Sequence, residues 1–133
     1  MNRSRAIAAI SLALMVALSL MPAASQAAPM TPFSKQAFTD AQNAGKPIVV
    51  FVHAGWCITC RRQEPTLKQL TGDPAFADVV VFVLDYDKDK AALRELNVAD
   101  RSTLVAFNGK AERKRTSFVT DPPAIRALFE SAL

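Results

Sequence analysis

The sequence predicts an α/β domain built on a central mixed sheet of about four strands, with helices on both faces. Three observations carry this. Residues 48–52 and 79–84 are unbroken apolar runs, the pattern of central strands covered on both faces. A helix-forming stretch separates them, so the two strands are joined through a crossover. Asn108-Gly109 then sits between two strand-like segments, a hairpin signal of the type I′ kind.

The elements follow in order. Residues 1–27 read as a cleaved secretory signal: Arg3 and Arg5 form a basic start, 6–21 is free of charge, and Ser25-Gln26-Ala27 offers small residues for cleavage. An uncleaved membrane anchor is the minority alternative, because those 16 residues fall short of the roughly 20 a span needs. Residues 28–32 are expected to be a flexible leader and 33–133 the folded domain. Thr31-Pro32 reads as a helix cap with proline in the first turn, and Phe33, Ala37, Phe38 and Ala41 recur at helical spacing until Gly45. After the strand at 48–52, a helix is expected over 57–70, kinked by Pro65. Turn residues at 71–74 precede the strand at 79–84, and a short helix covers 88–96. Strands at 104–107 and 112–119 flank the hairpin, and Asp121 caps a last helix that begins at Pro122-Pro123.

The charge balance excludes some functions. The chain's 16 basic residues, less Arg3 and Arg5, leave 14 against 12 acidic ones, too even a balance to argue for nucleic acid. Lys110, Arg113, Lys114 and Arg115 form a small basic cluster on the hairpin, read as a solvated surface. Asp85, Asp87 and Asp89 mimic the start of a calcium loop, but Lys90 and Leu96 stand where glycine and glutamate are required.

The chemistry lies in Cys57 and Cys60, the chain's two cysteines, at the predicted strand-to-helix junction. A thiol at a helix N-terminus faces orphan backbone N–H groups and the positive end of the helix dipole, and both stabilise thiolate. A residue three further on lies about one turn deeper and can close a small ring with it. So short a loop restrains the unfolded chain little, which weakens a purely structural disulfide. Cys57 is therefore the candidate attacking thiol and Cys60 the resolving one. Arg61 and Arg62 read as a solvated helix face. His53 with Cys57 and Cys60 supplies three soft-metal ligands on paper, so a copper-handling module is the alternative from another class, although a tight zinc site wants a fourth ligand.

The run Trp56-Cys57-Ile58-Thr59-Cys60, the downstream Pro65, the strand order and Asn108-Gly109 together resemble the thioredoxin-like superfamily. The resemblance covers about 33–133, and residues 54–60 are most similar to the exported C-terminal thioredoxin-like domain of the transmembrane reductase DsbD. It implies a thiol-disulfide oxidoreductase, favouring reduction over disulfide introduction. Its partners would be a protein disulfide substrate and a membrane-embedded electron donor, with no cofactor, and the implied protein is a periplasmic monomer. Trp56, Ile58, Thr59, Pro65, Arg101, Ser102 and Thr103 are the residues that would shape the site. There are two departures. Ser102 stands where the family has a cis-proline; a cis bond before a non-proline costs about 3–4 kcal/mol, so a trans or reshaped loop is expected. The serine restores a backbone N–H and adds a hydroxyl, both free in principle for a cysteine sulfur or a substrate carbonyl. Phe51 stands where the family buries an aspartate, so proton transfer is assigned to water or a carboxylate such as Glu64.

Overall fold

The computed structural model describes residues 29–133. The expected signal at 1–27 lies outside the described residues. Five strands form one mixed sheet in the order β1-β3-β2-β4-β5. They are β1 (Met30–Pro32), β2 (Pro47–His53), β3 (Val80–Asp85), β4 (Thr103–Asn108) and β5 (Ala111–Ser117). The helices are α1 (Lys35–Asn43), α2 (Ile58–Thr71), α3 (Lys90–Glu95) and α4 (Pro122–Ala132). β2 runs parallel to β3 and antiparallel to β4. β2 is thus the interior strand from whose end the chain enters α2.

Alternation along β2 divides the core. Val49 and Phe51 face one layer with Leu67 and Leu70 of α2 and Ile125, Leu128 and Phe129 of α4. Ile48, Val50 and Val52 face the other, with Phe38 of α1 and Leu93 of α3. Both faces of the strand are therefore buried, which is why its sequence is apolar without interruption. The second layer is strongly aromatic: Phe38 packs edge-on to Phe107 at 5.4 Å and to Phe82 at 6.0 Å. Both cysteines belong to the first layer.

Three expectations are corrected. Residues 30–32 are not a flexible leader but an edge strand, parallel to β3, with Thr31 opposite Phe82. Pro32 is tolerated there because an edge strand has one side without ladder bonds. The first helix consequently starts later: Ser34, not Thr31, is its cap, its Oγ accepting the Ala37 N–H at 3.4 Å. Finally, the hairpin is not type I′. Its loop is Gly109-Lys110, with Asn108 paired to Ala111 and positive φ only at Gly109 (56°), the pattern of a II′ turn. Asn108 ends β4 instead, and its amide donates to the carbonyls of Ala132 and Leu133.

Candidate functional site

The turn after β2 brings Cys57 to the N-cap of α2. Its backbone is extended (φ −85°, ψ 108°), and its Sγ accepts the Cys60 N–H at 3.1 Å. A sulfur thus takes the place that serine or aspartate oxygen usually fills at a helix start. Cys57 and Cys60 are joined in a disulfide with Cα atoms 5.3 Å apart. Cys57 is 2% exposed and Cys60 fully buried. Pro65 lies in the second turn of α2, and the helix continues past it to Thr71.

Ser102 meets the pair from the start of β4. Its Oγ lies 3.0 Å from Cys57 Sγ and 3.2 Å from Cys60 Sγ. The hydroxyl has one proton and so serves one sulfur at a time. The rest of Ser102 is committed inward: its N–H donates to Val52 O at 2.8 Å, and its carbonyl accepts from Phe118 N–H and from Gln63 Nε2. This corrects the expectation that its N–H is free for a substrate carbonyl. Among the described residues no peptide is cis, and Ser102 holds a left-handed backbone, φ 57°. Proline, locked near −65°, does not fit that conformation.

Gln63 was missed by sequence reading. It is fully buried on α2 and also donates to Val119 O at 2.8 Å, so it ties the redox helix to both the Ser102 loop and the connection from β5 to α4. Its Oε1 has no partner. The only sequence signal was a polar residue one turn after Cys60, on the inward face of the helix.

The expected proton carrier Glu64 is engaged elsewhere. It lies 3.0 Å from His53 Nε2 and 3.8 Å from Lys68 Nζ. The aspartate position is filled by Phe51, 1% exposed. Ser102 Oγ is the hydroxyl within hydrogen-bond distance of both sulfurs. His53 is drawn away from the metal alternative in the same way, its ring also edge-on to Phe51 at 5.4 Å. Among the described residues no group of three or more His, Cys, Asp or Glu is arranged to hold a metal.

The rim is aromatic and cationic. Trp56 is 55% exposed and Ile58 62%. The Trp56 indole N–H donates to Asp87 Oδ2 at 2.9 Å, and its ring packs against Tyr86. Asp85, Asp87 and Asp89 shape the connection from β3 to α3. Asp85 Oδ1 accepts the Asp87 and Lys88 N–H groups, and Asp89 Oδ2 accepts Asp85 N–H. The Arg101 guanidinium lies 4.9 Å from the Trp56 ring centre and 5.6 Å from that of Phe118. Thr103 turns away, its hydroxyl bonding Asp100 O and Ser117 Oγ, while Thr59 is half-buried in the first turn of α2. In the basic cluster, Arg115 is paired with Glu112, and Lys110, Arg113 and Lys114 are exposed, as a solvated surface requires.

The thioredoxin family model matches residues 29–128. The chain is 37% identical over 73 residues to thioredoxin H2-2 of rice, covering 55% of this chain and 53% of that protein. It is 30% identical over 86 residues to the thiol:disulfide interchange protein DsbD of Salmonella typhimurium, covering 60% of this chain and 15% of DsbD. The chain therefore spans about half or less of the length of these relatives. Among solved structures it is similar to Trxlp from Edwardsiella tarda, at 40% identity and a TM-score of 0.73, over 75% of this chain and 98% of that one.

Proposed function

We propose that this chain, which belongs to the thioredoxin family, is an exported thiol-disulfide oxidoreductase that reduces protein disulfides with electrons from a membrane-embedded donor. One observation carries the reading: Cys57 caps α2 with its sulfur while bonded to Cys60 one turn deeper. That geometry makes the outer sulfur the better thiolate and keeps the inner thiol within reach of it.

In the reduced protein, the Cys57 thiolate attacks one sulfur of the partner's disulfide. A Cys57–partner bond forms, and the partner's other sulfur leaves as thiolate. Cys60 then gives up its proton, to the thiolate the partner has just released or to water, and attacks Cys57 Sγ. The Cys57–Cys60 bond forms as the partner's second thiolate leaves, so two electrons have passed from this chain to the partner. Ser102 Oγ, within 3.2 Å of both sulfurs, donates to whichever carries the charge. The donor resets the pair by the reverse exchange. Cys57 is 2% exposed in the disulfide form, so a partner reaches its sulfur only as the rim yields.

The exported setting rests on the signal-like residues 1–27, and the direction rests on the similarity to DsbD. The protein acts as a monomer with no cofactor, because exchange needs only the two sulfurs. Cys60→Ser should accumulate mixed disulfides with partners in an extract, and Cys57→Ser should accumulate almost none. The opposite pattern reverses the assignment. Equilibration of the pair with glutathione reads the direction: a potential near that of strong oxidants would turn the reading into disulfide introduction.

A further inference from the structure

We infer that Arg101 is a docking point for a carboxylate of the partner protein, so that the site selects disulfides flanked by acidic residues. The inference rests on the redox reading above and names the kind of partner segment the same site takes.

Two arginines among the described residues are half-buried, Arg101 and Arg115. Arg115 is fully engaged: Glu112 takes its Nε and Nη2, and the carbonyls of Asn97 and Leu96 take its Nη groups. Arg101 has no ion pair and no hydrogen bond among the described residues, and its Nε is buried without a partner. Its charge is nevertheless held in one place, between the exposed rings of Trp56 and Phe118. Stacking occupies the faces of a guanidinium and, with Nε buried, leaves its terminal Nη donors for a planar, bidentate acceptor. A carboxylate is that acceptor.

The position suits a docking role. Arg101 directly precedes Ser102, whose hydroxyl touches both sulfurs. Phe118 donates its backbone N–H to Ser102 O, so the second ring of the stack is fixed to the same residue. Phe118 holds φ 61°, a conformation costly for an aromatic residue. Arg61 and Arg62 are exposed near the start of α2. Of the acidic groups on this side, Asp87 is taken by the Trp56 indole and Glu64 by His53 and Lys68, while Asp100 is exposed and makes no bond to Arg101. A pre-ordered cation of this kind loses little side-chain freedom on binding.

The test uses two synthetic peptide disulfides that differ only in Glu or Gln beside the cysteine, with hydroxyethyl disulfide as a small neutral oxidant. The readout is the second-order rate of oxidation of the pre-reduced protein. The Glu peptide should react about tenfold faster at low salt, and the gap should close at high salt. Arg101→Gln should bring the Glu-to-Gln ratio to about one, and Arg101→Lys should keep part of it. Lys110→Gln, an equal charge change at the hairpin on the opposite end of the sheet, should leave the ratio as it was. Equal rates for both peptides, or a ratio that survives Arg101→Gln, overturn the inference and leave the redox reading standing. No reaction with either peptide or with hydroxyethyl disulfide overturns the redox reading, and this inference with it.

Discussion

The two ends of the sheet meet the same backbone demand with different residues. At the hairpin end, left-handed φ falls on Gly45 (68°) and Gly109 (56°), where no Cβ opposes it. Gly109 also has to be small: a Cβ there would stand 3.3 Å from Gly45 Cα and 3.4 Å from Gln42 O. At the cysteine end, the same region of φ falls on Ser102 (57°) and Phe118 (61°). Each costs about 1–2 kcal/mol relative to a right-handed residue. A glycine at either position would relieve that cost and would remove the hydroxyl from the sulfurs or the ring from Arg101. The difference is that the hairpin end is built to close the fold, and the cysteine end is built to place side chains at the cost of strain.

The sharpest way to test that contrast is to remove the hydroxyl and keep the backbone. Ser102→Ala retains Cβ, so its strain is unchanged and only the contact to the sulfurs goes. A hydrogen bond to a charged group contributes about 1.5–3 kcal/mol. Alkylation of Cys57 in the reduced protein should therefore slow by about tenfold below neutral pH, and the couple should become more reducing by about 30 mV. Ser102→Thr keeps the hydroxyl and should recover most of the rate even though its β-branch suits positive φ poorly. An unchanged rate in Ser102→Ala would mean that the strained serine is held for the fold alone, and the contrast between the ends would collapse.

The converse experiment sits at the hairpin. Gly109→Ala imposes both the left-handed penalty and the close contact with Gly45. A loss of about 1–2 kcal/mol is expected, seen as a Tm lower by several degrees. The alkylation rate of Cys57 should not move. A change in that rate would show that the two ends are mechanically coupled through β2 and β4.

The same contrast explains what could be read from the sequence. The strands at 48–52 and 79–84 were legible because burial on both faces leaves only apolar residues, and the hairpin because Gly109 has few substitutes. Cys57 and Cys60 were legible because thiol chemistry needs that residue type at that spacing. β1 was not, because three residues at an edge leave no periodicity and their pairing with β3 is non-local. Gln63 and Phe118 were not, because their roles depend on contacts 39 and 56 residues away in the first case and on a backbone angle in the second. Ser102 was flagged as a departure, but its φ, its bond to Val52 and its place between the sulfurs come from tertiary structure. The restoration of proline there does not simply recover a missing geometry, because Ser102 uses the very N–H and φ that proline lacks.

The smallest expected effect concerns the acidic turn that holds Trp56. Burial raises the affinity of the Asp85 carboxyl for its proton, but the N–H donors of Asp87 and Lys88, with the charges of Lys88 and His53, outweigh it and hold the carboxyl below its ordinary value of 3.8. A carboxylate with a depressed value in the fold contributes stability that is present above the unfolded value and is lost as pH falls through the folded one. The window is therefore below about pH 3.8, and neutral pH lies on its stable side. The bonds at stake set the turn that carries Asp87 to the Trp56 indole. Trp56 is the chain's one tryptophan, so its fluorescence reports on the cysteine end alone. Acid should shift that emission within this window, before secondary structure is lost. Asp85→Asn should show a similar shift already at neutral pH, with the far-UV circular dichroism unchanged. If the emission of Asp85→Asn at neutral pH matches that of the unmodified protein, the turn is held by its backbone and not by this carboxylate.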